Sequence, residues 1–409
     1  MEPPVPLTLL DREFDGRHYE TGALANALAL RGAAAPHTGR PYSEALLLAI
    51  SGGIALGYFV FEYKGYLPHV ALLTRNTFDP LETLFDRLAL PREVTQTTNP
   101  QQAEAKLDAA LEAGHAPLVW ADMASLPYTG GRPQPDFWAM IPLVVVAREG
   151  DGYVVADRAR RAHRITRAAL TAARGRVKQD RYRLMTIDPP EPQRAADALR
   201  KGLWQCLSLF TEAPPKGSRD NFGFAAYARW AHLLTNTRHK QSWARMFAPG
   251  ARLYQALAGT PQQPGVYSWI ETWTSGGAGD RALFADALEE GATLLERPAL
   301  REAAAHFRAS AAAWHTLAQT ALPEGVPLLR ESRELLQRRR NLFVAQAPGA
   351  LEARAEIDAR LAALKAEAEA SFPMTDGEVT DLQAELSQQV TALSDIERRG
   401  VEALQAALG

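Results

Sequence analysis

The sequence of 409 residues contains a single cysteine, Cys206. One thiol excludes an internal disulfide and any metal site built from several cysteines, and it fits a reducing compartment. No run reaches the ~18 apolar residues of a membrane-spanning helix. The longest candidate, Ala45 to Phe61, is broken by Ser51, Gly52, Gly53 and Gly57. The start, Met1-Glu2-Pro3-Pro4, lacks the basic residues and apolar core of a secretion signal. These absences predict a cytoplasmic protein with no membrane partner. Charge of one sign is also lacking. The formal net charge is −2, which gives no general attraction for nucleic acid or acidic lipid. The basic runs Arg158–Arg161 and Arg338-Arg339-Arg340 are short and read as solvated faces. His37, His69, His232, His239, His306 and His315 are scattered, without metal-ligand spacing such as His-Glu-x-x-His. Neither a metal nor a cofactor is expected, and no repeat period implies a solenoid.

What is present is ordinary globular composition, 46% hydrophobic and 22% charged. The chain is too long for one core, since single cores stop growing near ~250–300 residues. Residues 1–190 mix the two kinds of pattern. Ser43 is a natural cap for a helix over Ala45–Ile50, which Ser51-Gly52-Gly53 ends. Ile54–Phe61 reads as a strand. Helices follow at Phe78–Leu88 and Pro100–Ala113, the latter stopped by Gly114. Pro117–Asp122, Met140–Ala147 and Gly152–Ala156 are apolar strands, the last two joined by a hairpin turn around Gly150. Helices first and then an antiparallel sheet is an α+β order.

The proline-rich segment Asp188–Ala196 marks a boundary. Residues 191–325 then read as an all-α domain, with helices at Arg194–Phe210, Phe222–Leu234, Gln241–Leu257, Val266–Trp273, Arg281–Leu295 and Ala299–Ala321. Six of the eight tryptophans lie here (Trp204, Trp230, Trp243, Trp269, Trp273 and Trp314) and read as bundle core. Residues 326–409 form a helical tail with three narrow apolar stripes. Leu328, Leu335 and Leu342 recur at seven residues, beside Leu329, Leu336 and Phe343. Ile357, Leu361, Leu364 and Ala368 follow, and then Val379, Leu382, Leu386, Val390, Leu393 and Ile396. Such stripes suggest coiled-coil-like hairpins that pack on this chain or on a partner subunit.

The stretch from Gly16 to Leu28 has the form of an active-site entrance. A polar cluster, His18-Tyr19-Glu20-Thr21, precedes an apolar helical run. Thr21 is the expected N-cap, Leu24, Ala27 and Leu28 share one face, and Asn26 lies off it. A helix N-terminus favours an anion or a nucleophile. The residue placed there is Tyr19, whose phenol titrates near about 10.

This opening, with Ser43-Glu44, Gly52-Gly53, the strand ending at Asp122 and the sheet ending at Asp157, resembles the N-terminal domain of the butirosin-biosynthesis BtrH family. Trp273–Arg281, running into Leu283–Glu290, resembles the uncharacterised helical domain commonly fused to it. The resemblance spans roughly residues 16–320. It implies a papain-like fold, related to bacteriocin-processing peptidases, and an acyltransferase that takes its acyl group from a carrier protein. In the family the opening reads His-Cys-Glu-Thr, with cysteine as nucleophile. Here Tyr19 holds that place. The family's histidine base falls at about Ile141, and no histidine occurs between His115 and His163. Asp157 keeps the third, orienting position, and Tyr128 matches the family pattern. A thiol–imidazole pair works by forming a thiolate, so losing both partners leaves no such mechanism.

Two readings follow. One is a catalytically degenerate protein that uses its cleft for binding and its helical region for assembly. The partners it implies are a small-molecule or acyl-carrier ligand and a homo-oligomer through the helices. The other is an acyl or aminoacyl transferase with relocated chemistry, in which His18 and a carboxylate serve as base and acid. Under either, His18, Tyr19, Glu20, Asn26, Asp122, Tyr128 and Asp157 are the cleft residues. Glu20 could stabilise a cation or simply face the helix dipole. Asp122 and Asp157 could converge for acid–base work or only cap turns. Cys206, among apolar helix neighbours, reads as a small buried hydrophobe. Gly276-Gly277-Ala278-Gly279 lacks the lysine of a phosphate loop and reads as a turn.

Overall fold

The computed structural model describes residues 7–131, 133 and 138–409, so the Met1–Pro4 start lies outside the described residues. Its strands are β1 (Ile54–Phe61), β2 (His69–Arg75), β3 (Arg92–Thr95), β4 (Leu118–Asp122), β5 (Met140–Glu149), β6 (Gly152–Ala156), β7 (His163–Thr166) and β8 (Leu184–Ile187). All pairings are antiparallel. The chain is α+β, with its sheets in the N-terminal half and helices throughout the rest. It divides into two compact units. The first comprises Met1–Leu47, Leu84–Ala195 and Asn341–Ala355, and the second Leu48–Thr83, Ala196–Arg340 and Glu356–Gly409.

The first unit is built on a six-stranded sheet in the order β3-β8-β4-β5-β6-β7. Ile141 lies opposite Ala121, and Val155 lies opposite both Val145 and His163. Because side chains alternate, Val119, Ala121, Ile141, Leu143, Val145, Val155 and Ile165 make one apolar face. Helices Pro100–Glu112 and Arg167–Gly175 cover it through Leu107, Leu170 and Ala173. Asn99 and Thr166 cap these helices through their side chains, accepting from the amides of Gln102 and Ala169. Helix Thr21–Leu30 packs on β5 and is buried at every position from Thr21 to Leu28.

The second unit sets the β1–β2 hairpin among helices. Its centre is an ion pair. Arg281 donates from Nε to Glu397 Oε1 at 2.7 Å and from Nη2 to Oε2 at 3.2 Å. It also donates to the carbonyls of Ala55, Thr74 and Gly279, each at 2.8 Å. Glu397 further accepts from Tyr227 at 2.6 Å and from Ser310 and Trp314 at 2.8 Å. Both side chains are 0% exposed. Burial pushes the Glu397 carboxyl up, but the Arg281 charge and these donors outweigh it and hold it below the usual range.

The structure corrects several expectations. Gln241–Leu257 is two helices, Trp243–Met246 and Ala251–Leu257, because Gly250 adopts φ +120° after Pro249. Trp204 is 41% exposed rather than in the core, while Trp230, Trp243 and Trp314 are buried. The elements β2, β3, β7, β8 and helix Arg167–Gly175 had no counterpart in the sequence reading. The tail's third stripe is buried against helices Gly223–Thr235 and Leu300–Ala321 of the same chain, and past Leu393 its seam continues at Glu397 and Val401, leaving Ile396 half-buried. Cys206 is buried as expected. Its thiol donates to the Ile54 carbonyl at 3.3 Å, and burial pushes its pKa up to about 12. No helix of the described residues is long and apolar enough to cross a membrane.

Breaking a buried pair by removing one partner costs about 3–5 kcal/mol. Glu397→Ala is therefore expected to lower unfolding stability by about that amount, read from urea transitions at pH 7. Because the folded carboxyl titrates below its unfolded value, the Glu397 contribution is complete above about pH 4.3 and is lost as the pH falls through the depressed folded value. The difference between wild type and variant therefore shrinks in acid. A cost under about 1 kcal/mol at pH 7, or a difference that grows on acidification, contradicts this assignment.

Candidate functional site

Glu44 organises the turn that precedes helix Thr21–Leu30. It is 7% exposed, and its carboxylate accepts from the Arg17 amide at 2.6 Å, the His18 amide at 3.2 Å and the Thr21 hydroxyl at 3.1 Å. Thr21 is therefore not the N-cap. It is the first helical residue, its hydroxyl given to Glu44, while Glu20 occupies the cap position without a side-chain cap bond. Asn26, buried in the helix, ties the entrance to the sheet. Its Oδ1 accepts from the Gly16 amide at 3.0 Å, and its Nδ2 donates to the Asp157 carbonyl at 3.4 Å.

These bonds order the turn that carries Tyr19. Its ring lies 4.1 Å from the His18 imidazole, centroid to centroid, and packs against the apolar face of the sheet. His18 Nδ1 accepts from the Glu20 amide at 3.2 Å. This bond engages Nδ1 within the turn itself. Ile141 is 3% exposed and lies in the apolar cluster.

The carboxylate of Asp157 is engaged by its neighbour in the chain. Asp157 is 3% exposed. Arg158 donates to it twice, from Nε at 3.0 Å and from Nη2 at 3.1 Å. Burial alone raises the Asp157 carboxyl, but the Arg158 charge, its hydrogen bonds and His163 together hold it below the usual range. Arg158 is thus not part of a solvated basic face. Its Nη1 also meets Met123 Sδ at 3.3 Å, its guanidinium lies over the Phe343 ring at 5.2 Å, and its charge is felt by Tyr128 and Tyr19. Only Arg160 and Arg161 of that run are exposed. In the second run, Arg339 pairs with Asp358 and Arg340 donates to the carbonyls of Thr274 and Ser275.

Tyr128 stands edge-on to His163, with ring centroids 3.9 Å apart. Burial, then the Asp157 charge, raises the Tyr128 phenol well above its ordinary value, so it stays protonated. Burial lowers His163 despite the opposing pull of Asp157, so it is neutral near pH 7. The sequence reading passed over His163. Its one signal is the alternation His163-Arg164-Ile165-Thr166, buried and exposed in turn, too short to stand alone.

Asp122 belongs elsewhere. The register sets it against Met140, whereas Ala156, just before Asp157, faces Val144. The two carboxylates are thus two strands apart and roughly 10 Å offset along the strands, and they do not converge. Asp122 is fully buried. It accepts from Ser125 at 2.6 Å and the Ala139 amide at 3.0 Å, with Arg176 at 3.8 Å, so it holds the turn after β4. The Gly276–Gly279 turn is likewise internally bonded, the Gly277 amide donating to Thr274 and the Ser275 amide to Asp280.

Hydrogen bonds to a charged group contribute about 1.5–3 kcal/mol each. Glu44→Ala, which removes three such acceptor contacts, is expected to destabilise the protein by at least about 2 kcal/mol and to broaden the Arg17–Thr21 amide signals in NMR spectra. An unchanged unfolding midpoint with unshifted amides contradicts the hub role.

Comparison with known families agrees with this geometry. Residues 18–158 match the model for butirosin biosynthesis protein H, N-terminal, and residues 168–327 match a domain of unknown function, DUF4872. No curated protein matches the chain. The first match begins at His18, beside Tyr19, and ends at Arg158, the partner of Asp157. The chain therefore carries a domain similar to butirosin biosynthesis protein H, N-terminal, followed by a DUF4872 domain.

Proposed function

We propose that this protein is a catalytically silent relative of the acyltransferases, whose first unit binds a ligand instead of transferring an acyl group. The observation that carries this reading is the state of Asp157. A triad needs its carboxylate on the imidazole, to orient the ring and stabilise its cation. Here both oxygens face Arg158, and the imidazole's place holds the buried Ile141. Tyrosine at the nucleophile position completes the change of chemistry, since a phenol near neutral pH is a donor and a packing surface before it is a nucleophile.

The competing reading, relocated transfer chemistry, requires a base next to the acceptor. His18 is the nearest imidazole to Tyr19 in sequence, but its Nδ1 is occupied by the Glu20 amide. Asp122 is engaged in its own turn. The binding reading leaves these bonds intact. On this reading the ligand is a small molecule or an acyl group on a carrier, and any homo-oligomer would use faces of the helical region outside the internally buried seam.

Mass spectrometry of the purified full chain, denaturing and native, with a panel of acyl thioesters separates the two. The binding reading predicts no covalent adduct that forms and decays, and no effect of His18→Ala on thioester consumption. An adduct that turns over, or thioester transfer abolished by His18→Ala in a folded protein, refutes it.

A further inference from the structure

The third stretch of the first unit, Asn341–Ala355, comes from far along the chain, yet its contacts converge on the degenerate site. Phe343 packs on the same apolar cluster as Tyr19 and Met123. Two guanidinium groups address its ring, Arg158 at 5.2 Å and Arg354 at 5.0 Å. Arg354, 2% exposed, donates from Nη1 to the Tyr128 carbonyl at 2.9 Å and from Nη2 to the Thr129 carbonyl. The Arg160 amide donates to the Val344 carbonyl at 2.7 Å. The segment is thus held by one bond to its own main chain, by the Arg354 side chain on two carbonyls of the unit and by one aromatic anchor.

The segment also has the local structure of something held in place. It spans the end of helix Pro327–Gln346, a single 3-10 turn at Ala347–Ala350 and the start of helix Leu351–Ala370. Ala347 takes φ +35°, a left-handed conformation that a residue with a Cβ adopts only when its surroundings impose it. Ala347 and Ala350 are each 2% exposed, while Pro348 and Gly349 between them are exposed.

Resting on the binding reading above, we infer that the degenerate site of the first unit is a peptide cradle whose occupant is the chain's own segment Asn341–Ala355. Phe343 is its aromatic anchor and Arg354 its clamp. A small molecule or carrier-bound acyl group that uses the site must accordingly displace Phe343 from Arg158. Tethering places the segment at an effective concentration in the millimolar range, so a free peptide at micromolar concentration does not displace it from the intact chain.

The test uses a fluorescein-labelled synthetic peptide spanning residues 338–358, full-length wild type and full-length Phe343→Ala/Arg354→Ala, with binding followed by anisotropy. The expected result is no measurable binding to wild type and at least tenfold tighter binding to the double variant, abolished when the peptide itself carries alanine at 343. A double variant with native circular dichroism that binds no better than wild type overturns the inference. If the double variant fails to fold, hydrogen–deuterium exchange on wild type decides. Amides of 341–355 that exchange at least tenfold faster than those of β5 and β6 support a separable occupant, and exchange in step with the strands overturns it. Acyl turnover by wild type, by contrast, defeats the underlying binding reading without bearing on either of these measurements.

Discussion

The pair formed by Asp157 and Arg158 is the constraint on which the character of the first unit depends. A buried carboxylate must be neutralised or paired, and the side chain that pairs it decides what it can do. Here the partner is the next residue in the chain, and its two bonds use both oxygens. The same guanidinium reaches Met123, covers Phe343 and carries a charge sensed by Tyr19 and Tyr128. One residue thus joins Tyr19, Asp157 and the segment Asn341–Ala355.

Around that pair a bonded frame holds the entrance helix. Glu44 orders the turn before the helix, and Asn26 ties it to the Asp157 backbone. The second unit shows the same economy in another setting, where Arg281 and Glu397 satisfy one another and three carbonyls at the centre of a helical core. In both units a buried arginine fixes elements distant in sequence. In the second, removal of the chain beyond residue 325 would take Glu397 with it, and in the first it would take Phe343 and Arg354. Tail deletion is therefore a test of folding more than of assembly.

Much of the frame was legible in the sequence. Ile54–Phe61, Gly152–Ala156 and the helix from Pro100 were readable because their apolar periods and flanking punctuation agree, as with Gly114 at φ +77° after Glu112. The four-residue strands β3, β7 and β8 were not, since four residues carry too little alternation to distinguish from a loop. Tyr19, Ile141 and Asp157 were singled out through the order of motifs. Arg158 was misread because charge in a short run says nothing about which member turns inward. His163 and Arg354 were passed over for a related reason. Their roles arise from strand pairing and from a segment that returns to the unit, and neither leaves a local pattern. Thr21 was given the wrong role because a hydroxyl at a helix start can cap or donate, and the deciding partner, Glu44, lies in another helix.

The most direct test of the account is a carbon-detected NMR titration of the Asp157 carboxyl, in wild type and in Arg158→Met. In wild type the group is expected to stay ionised to a pH below the ordinary aspartate value of about 3.9. In the variant burial acts unopposed by Arg158, and the midpoint is expected to rise above that value. An ordinary or raised midpoint in wild type, or one indifferent to the loss of Arg158, would contradict the claim that Arg158 holds Asp157 as a paired carboxylate.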